Sequence, residues 1–301
     1  MSFRHLPRYT FAMPDFIVIG AVKAGTTSLY HYLGQHPAIQ MSSVNWTRFF
    51  HVDGDPPDFK TKEKTYGTEL LQSSVNRYKN MCNPRIPTSI EDYLSLWNSE
   101  TEGHCLGEVS PTYLHDPAVA PRIHARFPKI KLIAVLRHPV DRAYSHFVMD
   151  AREGWEKEMD FRKVIANEPY QIDDFWWGKR HYLRHGLYSS RIAEYLQLFS
   201  RDQLLVLRYD ELNSQPEQFF EKLFEFLGVD KKHEVDTSIK HNAGLLRYRK
   251  QGEDKNKLYK FRAPELPSKF RSELTNFYRE DIVKLQSLFG MDLSDWLSNS
   301  E

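Results

Sequence analysis

The chain has 301 residues, 41% of them hydrophobic and 27% charged, with a formal net charge of +1. That is enough chain for a sizeable core and one large domain. Without a global basic field, non-specific nucleic-acid binding is excluded as its main work, and an anionic ligand must be met by a local basic site. The two cysteines, Cys82 and Cys105, form no disulfide framework and match no metal-ligand spacing. Free thiols, a reducing compartment and a cytoplasmic location are therefore expected. No run of about 18 apolar residues is present, so no membrane span is expected. Met1 to Pro14 is polar and basic without the apolar centre of an export signal.

The first element is Phe16 to Ile19, a short apolar run ending at Gly20, which reads as a buried parallel strand. Thr26 to Gln35 reads as a helix closed by Pro37, and Ala38 to Met41 as a second short strand. Ile90 to Trp97 has helical character with Ser89 as its cap. Cys105 to Val109 is a strand candidate, Pro121 to Phe127 a helix, Lys131 to Leu136 a buried strand, and Pro139 to Ala151 a helix. Leu187 to Phe199 has helical spacing, Leu204 to Leu207 is a further strand, and Pro216 to Leu227 a further helix. A basic loop, Lys240 to Lys250, precedes a final helix from Ser268 to Phe289. Alternation of strand and helix predicts an α/β domain with a central parallel sheet flanked by helices in three layers. In such sheets ligands bind outside the carboxyl ends of the strands.

Two segments stand at such ends. The first is Gly20-Ala21-Val22-Lys23-Ala24-Gly25-Thr26-Thr27-Ser28. Small residues allow an anion close to the backbone, and the first turn of the following helix offers free N–H groups and the positive end of its dipole. Thr26, Thr27 and Ser28 add hydroxyls, and Lys23 adds a compact positive charge. The Walker pattern places lysine directly after its second glycine. Here Thr26 follows Gly25, which disfavours a P-loop phosphotransferase while keeping anion binding. The second segment is KLIAVLRHPVDRAYSHF, where Arg137 ends a strand and Ser145 lies about two helical turns further on. Arg137 offers a planar fork and Ser145 a hydroxyl, both suited to phosphate.

The first segment, within PDFIVIGAVKAGTTSLYHYLGQHP, closely resembles the 5'-phosphosulfate loop of sulfotransferases that use 3'-phosphoadenosine 5'-phosphosulfate (PAPS). Arg137 and Ser145 resemble the family's 3'-phosphate element, R-x-x-x-x-x-x-x-S. GEVSPTYL, GLYSSRIAEYLQLF and LLVLRYDEL resemble further stretches of the bacterial and carbohydrate-type members, so that the likeness covers roughly residues 14 to 228. The resemblance implies a P-loop-like fold, one domain over 1–301 with a cofactor-covering loop and C-terminal helices over 229–301, and PAPS as sulfuryl donor with adenosine 3',5'-bisphosphate (PAP) as product. It implies cofactor contacts from Lys23, Ala24, Gly25, Thr26, Thr27, Ser28, Arg137 and Ser145. Tyr188 is expected near the adenosine, and Arg249, in the basic loop, at the 3'-phosphate. No metal is required.

The chain departs from the family at one place. Where many members carry K-E-P-x-F-F with glutamate as general base, this sequence reads Asn45-Trp46-Thr47-Arg48-Phe49-Phe50. Trp46 stands at the glutamate position and cannot take a proton. Glu108, His51 and Asp53 are the alternatives, with Glu108 first and His51 next. Trp46, Asp53, Trp176 and Trp177 are candidates for acceptor binding, and Asp173 and Asp174 would join the three tryptophans. An aromatic and acidic cage would suit a cationic small molecule of alkaloid or guanidinium type, a secondary metabolite; a polyketide hydroxyl or a sugar is the other acceptor open to it. A protein that binds PAPS without turnover is the non-enzymatic alternative. The oligomeric state is not legible in the sequence.

Overall fold

The structure, a computed structural model, describes residues 13–52, 87, 89–97, 103–152, 154–166, 168, 181–239, 246–248, 259–261 and 265–298. Five parallel strands form the central sheet: β1 (Phe16–Gly20), β2 (Ile39–Met41), β3 (Cys105–Val109), β4 (Lys131–Leu136) and β5 (Leu204–Arg208). Their order is β2-β3-β1-β4-β5. β1 and β4 are continuous apolar runs because both faces of the sheet are covered by helices; every residue of β1 is buried. The register pairs Val18 of β1 with Val109 of β3 and with Ile133 of β4.

Helix α1 (Thr26–Leu33) follows β1 and leads to β2. The short α2 (Phe49–Val52) and α3 (Ile90–Leu94) come next. Ser89 caps α3 as expected, accepting from the Asp92 N–H at 3.0 Å. Helix α4 (Val119–Arg126) starts two residues before the sequence reading, so Pro121 sits in its first turn, where no N–H is needed. Helix α5 (Pro139–Arg152) leaves β4. Then follow α6 (Phe161–Ala166), α7 (Tyr188–Leu196), α8 (Tyr209–Ser214), α9 (Pro216–Leu227), α10 (Ser268–Phe289) and α11 (Ser294–Leu297). Outside the main sheet, β6 (Leu246–Tyr248) and β7 (Tyr259–Phe261) pair antiparallel, so part of the basic loop read from the sequence is a strand.

The core is one continuous cluster on both faces of the sheet. The long α10 packs along α7, and its Asp281 carboxylate receives the N–H groups of Tyr188 (2.8 Å) and Ser189 at the start of α7. An Arg271–Asp141 ion pair ties α10 to α5. Among the described residues no helix is long and apolar enough to cross a membrane, and no group of three or more His, Cys, Asp or Glu side chains is placed to hold a metal ion.

Candidate active site

Two strands next to each other in the sheet deliver the site. β1 ends at Gly20, and the Ala21 N–H donates to the Val135 carbonyl of β4 at 2.7 Å, which ties the following turn to the end of β4. Lys23 and Gly25 both adopt left-handed backbone (φ 70 and 76). At Gly25 the need for glycine is also steric: a Cβ there would lie 2.5 Å from the Tyr209 ring. Helix α1 starts directly after it without a side-chain cap, which leaves the helix N-terminus available to an anion.

That N-terminus faces a cavity of about 560 Å³ whose wall includes Gly25, Thr26, Thr27 and Ser28. Lys23, Arg137, Ser145 and Arg152 line the same cavity, as do Trp46 and Asn45 from the loop after β2. The two anchors read from the sequence therefore meet in one chamber at the carboxyl ends of β1 and β4. Arg137 is fixed by a hydrogen bond from Nη1 to the Lys23 carbonyl (3.1 Å) and by the Tyr209 ring, whose centroid is 5.1 Å from its guanidinium carbon. Ser145 reaches the chamber from α5. Val148, Met149 and Arg152 share its helical face, spaced three, four and seven residues on.

Lys23 donates to the Met149 sulfur at 3.4 Å. Burial pushes its pKa down to about 8, assisted by the neighbouring Arg152 and Arg137 guanidinium groups and opposed by Asp150. Cations gathered in a partly buried chamber repel one another until an anion enters. A ligand with several negative charges is the complement of this wall.

Several expected residues take other places. Ala24 is buried, absent from the wall, and its N–H closes the turn onto the Ala21 carbonyl (3.1 Å). Tyr188 is 1% exposed and donates its hydroxyl to the Arg137 carbonyl (2.9 Å). It holds the backbone of Arg137 rather than facing the chamber, so the expected adenosine contact is corrected to a support. Glu108 is 0% exposed and does not line the chamber. Its carboxyl is bonded by the Thr47 hydroxyl, and burial pushes its pKa up to about 8, which disfavours the ionised form a general base needs. His51 is also buried and off the wall, held between Asp116 and Thr112 (2.7 Å each). Its pKa is lowered by burial, against the pull of Asp116. Two of the three candidate bases are thus displaced. Asp53, Trp176, Trp177 and Arg249 lie outside the described residues, as do Asp173 and Asp174.

Sequence reasoning missed Arg152, Tyr209 and Thr237, all in the wall. Arg152 was accessible to it: it extends the helix read over Pro139 to Ala151 by one residue, on the face of Ser145. Thr237 was not, because it arrives from a distant segment pinned to α1 by Tyr32, whose hydroxyl donates to the Ile239 carbonyl (2.9 Å), and by paired bonds between Gln35 and the Asp236 backbone.

A model described as the Sulfotransferase family matches residues 14–233. The chain is 28% identical to bifunctional heparan sulfate N-deacetylase/N-sulfotransferase 4 of Mus musculus, over 95% of this chain and 31% of the relative. It is 27% identical to the corresponding protein 3 of Homo sapiens, with the same coverage. The chain thus spans about a third of the length of the curated relatives it matches. Among solved structures, a sulfotransferase from Alicyclobacillus acidocaldarius is 29% identical, with a TM-score of 0.73 over 95% of this chain and 100% of that one.

Proposed function

The chain belongs to the sulfotransferase family and is an enzyme of that class, and from this premise we propose that it moves the sulfuryl group of PAPS to a hydroxyl or nitrogen of a neutral or anionic acceptor. The observation that carries the donor assignment is the single chamber in which Lys23, Arg137, Ser145, Arg152 and the uncapped N-terminus of α1 converge. Its residues fit a ligand with phosphate at both ends of a nucleoside. Lys23 and the Thr26–Ser28 turn hold the 5' end, and Arg137 and Ser145 hold the 3'-phosphate.

PAPS, when bound, supplies a sulfuryl group on an oxygen that becomes more negative as the S–O bond breaks. With the 5' end on the Thr26–Ser28 turn, Lys23 would stand beside the oxygen on which that charge develops. Its partly desolvated ammonium gains more from the growing charge than an exposed one would, and the fixed N–H groups of α1 need no reorganisation. Arg152 adds positive potential, and Arg137 is held in place from three sides, by the Lys23 carbonyl, Tyr209 and Tyr188. Positioning and electrostatics thus carry the transfer. Among the described residues the wall has no carboxylate or imidazole. Of the candidate bases we retain Asp53, two residues beyond His51. Asp53→Asn is expected to lower kcat by about 10²-fold or more with PAP binding unchanged.

The cations of the wall count against the cationic, alkaloid-like acceptor expected from the sequence. The similar curated proteins are named for N-sulfation of heparan sulfate, which makes an amino sugar the first acceptor class to try. A cytoplasmic location is part of the proposal, and fractionation of the source cells tests it. Radiolabelled sulfate transfer from PAPS to a tetrasaccharide of alternating glucosamine and glucuronic acid, which carries no net positive charge, with agmatine as a cationic comparison, tests the function. Transfer to the saccharide in preference to agmatine supports the reading; preference for agmatine contradicts its charge argument.

A further inference from the structure

The segment Trp46 to Phe50 is bonded at nearly every residue to the stretch that ends β3. The Trp46 N–H donates to the Val109 carbonyl (3.0 Å), and the Thr47 hydroxyl bonds the Glu108 carboxyl. The Arg48 N–H donates to Ser110 Oγ (3.2 Å) and the Phe50 N–H to Tyr113 Oη (3.1 Å). These bonds hold two non-glycine residues, Trp46 and Arg48, in left-handed backbone (φ 69 and 58). Such conformations cost on the order of 1 kcal/mol each and persist only where the surroundings enforce them.

The side chain of Trp46 is fixed as firmly as its backbone. Its indole N–H donates to Thr112 Oγ1 at 3.1 Å. Thr112 Oγ1 lies 2.7 Å from His51 Nε2, and His51 Nδ1 lies 2.7 Å from Asp116 Oδ2. Asp116 is itself anchored by the Ala118 N–H on its other oxygen (2.9 Å). Because an ionised carboxylate only accepts, the network assigns the proton to Nδ1, Nε2 receives the Thr112 hydroxyl, and a lone pair of Thr112 is left for the indole. The Arg48 guanidinium carbon lies 3.9 Å from the indole ring centroid. Arg48 is 8% exposed and absent from the chamber wall, whereas Trp46 is in that wall. The guanidinium thus packs over one face of the ring without itself lining the chamber.

We propose that Trp46 is the platform on which a ring-bearing acceptor, a pyranose, rests in the chamber, and that Thr112, His51 and Asp116 act through it as positioning residues. The inference rests on the sulfuryl-transfer reading above. An indole N–H does not pass a proton onward at neutral pH, so a chain that ends on it orients the ring and does not relay a proton. A ring that carries a cation on one side attracts a second cation weakly and is suited to the C–H face of a neutral sugar. The orientation of that sugar then decides which of its groups meets the sulfuryl.

The test uses the full chain, radiolabelled PAPS and the tetrasaccharide of alternating glucosamine and glucuronic acid, with PAP affinity measured in parallel by calorimetry. Trp46→Ala is expected to raise KM for the saccharide by about tenfold or more while PAP affinity stays within about twofold, and Trp46→Phe to restore most of the loss. Thr112→Val, nearly isosteric, is expected to raise KM severalfold with kcat little changed, because it frees the ring. A wild-type KM in Trp46→Ala overturns the platform. So does a fall in kcat at constant KM in Thr112→Val, which would make the chain a proton acceptor. Normal PAP binding with no transfer to the saccharide also overturns it, and leaves the donor site standing. Absence of PAP binding removes the donor reading and the platform together.

Discussion

Lys23 holds its proton weakly because it is buried beside Arg152 and Arg137, and a bisphosphate in the chamber reverses that balance. Its pKa of about 8 in the free protein must rise when the anion binds. PAP affinity is therefore expected to be full below pH 8 and to weaken as pH rises through and above that value. Calorimetry at pH 8.5 in buffers of different ionisation enthalpy is expected to show proton uptake on binding, and Lys23→Ala to abolish it. Glu108 gives the second expectation at this scale. Its pKa is raised from 4.5 to about 8, so the folded state binds a proton more tightly than the unfolded chain. The sign is then fixed: its contribution to stability falls as pH rises from about 4.5 to about 8. Glu108→Gln is expected to leave the melting temperature nearly unchanged at pH 5 and to raise it by a few degrees at pH 8.5, an increment of about 2 °C per kcal/mol at this size. Equal effects at both values would contradict the buried, protonated carboxyl. Lys23, Arg137 and Ser145 were legible in the sequence because their chemistry and strand-end positions are local facts. Glu108 and Tyr188 were misread because their roles depend on burial: both are polar residues turned inward, and no local spacing reveals that.

Among the elements, the turn between β1 and α1 carries the heaviest local demands. Gly25 has φ of 76 and no room for a Cβ against Tyr209, so Gly25→Ala must either rotate the turn or displace the ring that steadies Arg137. PAP binding is expected to fall by more than about tenfold, with a loss of stability of about 1–2 kcal/mol, read by calorimetry and denaturant titration. Helix α5 makes the same point through periodicity. Ser145 and Arg152 share a face, and Arg152→Ala is expected to weaken PAP binding while raising the Lys23 pKa, so that proton uptake moves to higher pH. β1, β3, β4 and α9 were readable nearly to the residue, since apolar runs and capping residues mark their ends. The sequence reading ran α3 on to Trp97, whereas the helix stops at Leu94, with a bend that places Trp97 in the core. The short α8 and the β6–β7 pair escaped notice because neither has a period long enough to detect.

At the scale of the whole molecule, the strand order explains why the chamber lies where it does. The chain leaves β1 toward β2 on one side of the sheet and reaches β4 on the other, so the crevice opens at the ends of β1 and β4. The alternation of strands and helices predicted this architecture; the order of the strands is a long-range fact that it did not contain. The C-terminal segment serves the site from behind. Asp281 of α10 fixes the start of α7, and Tyr188 at that start holds the backbone of Arg137. The central claim is that this chamber is a metal-independent site for an adenosine bisphosphate. Calorimetric titration of PAP in EDTA, on the wild type and on Lys23→Ala and Arg137→Ala, tests it most directly. The account predicts micromolar binding by the wild type, weakened by about tenfold or more in each variant. Absence of PAP binding, or preferential binding of ATP with Mg²⁺ when the metal is supplied, would contradict it.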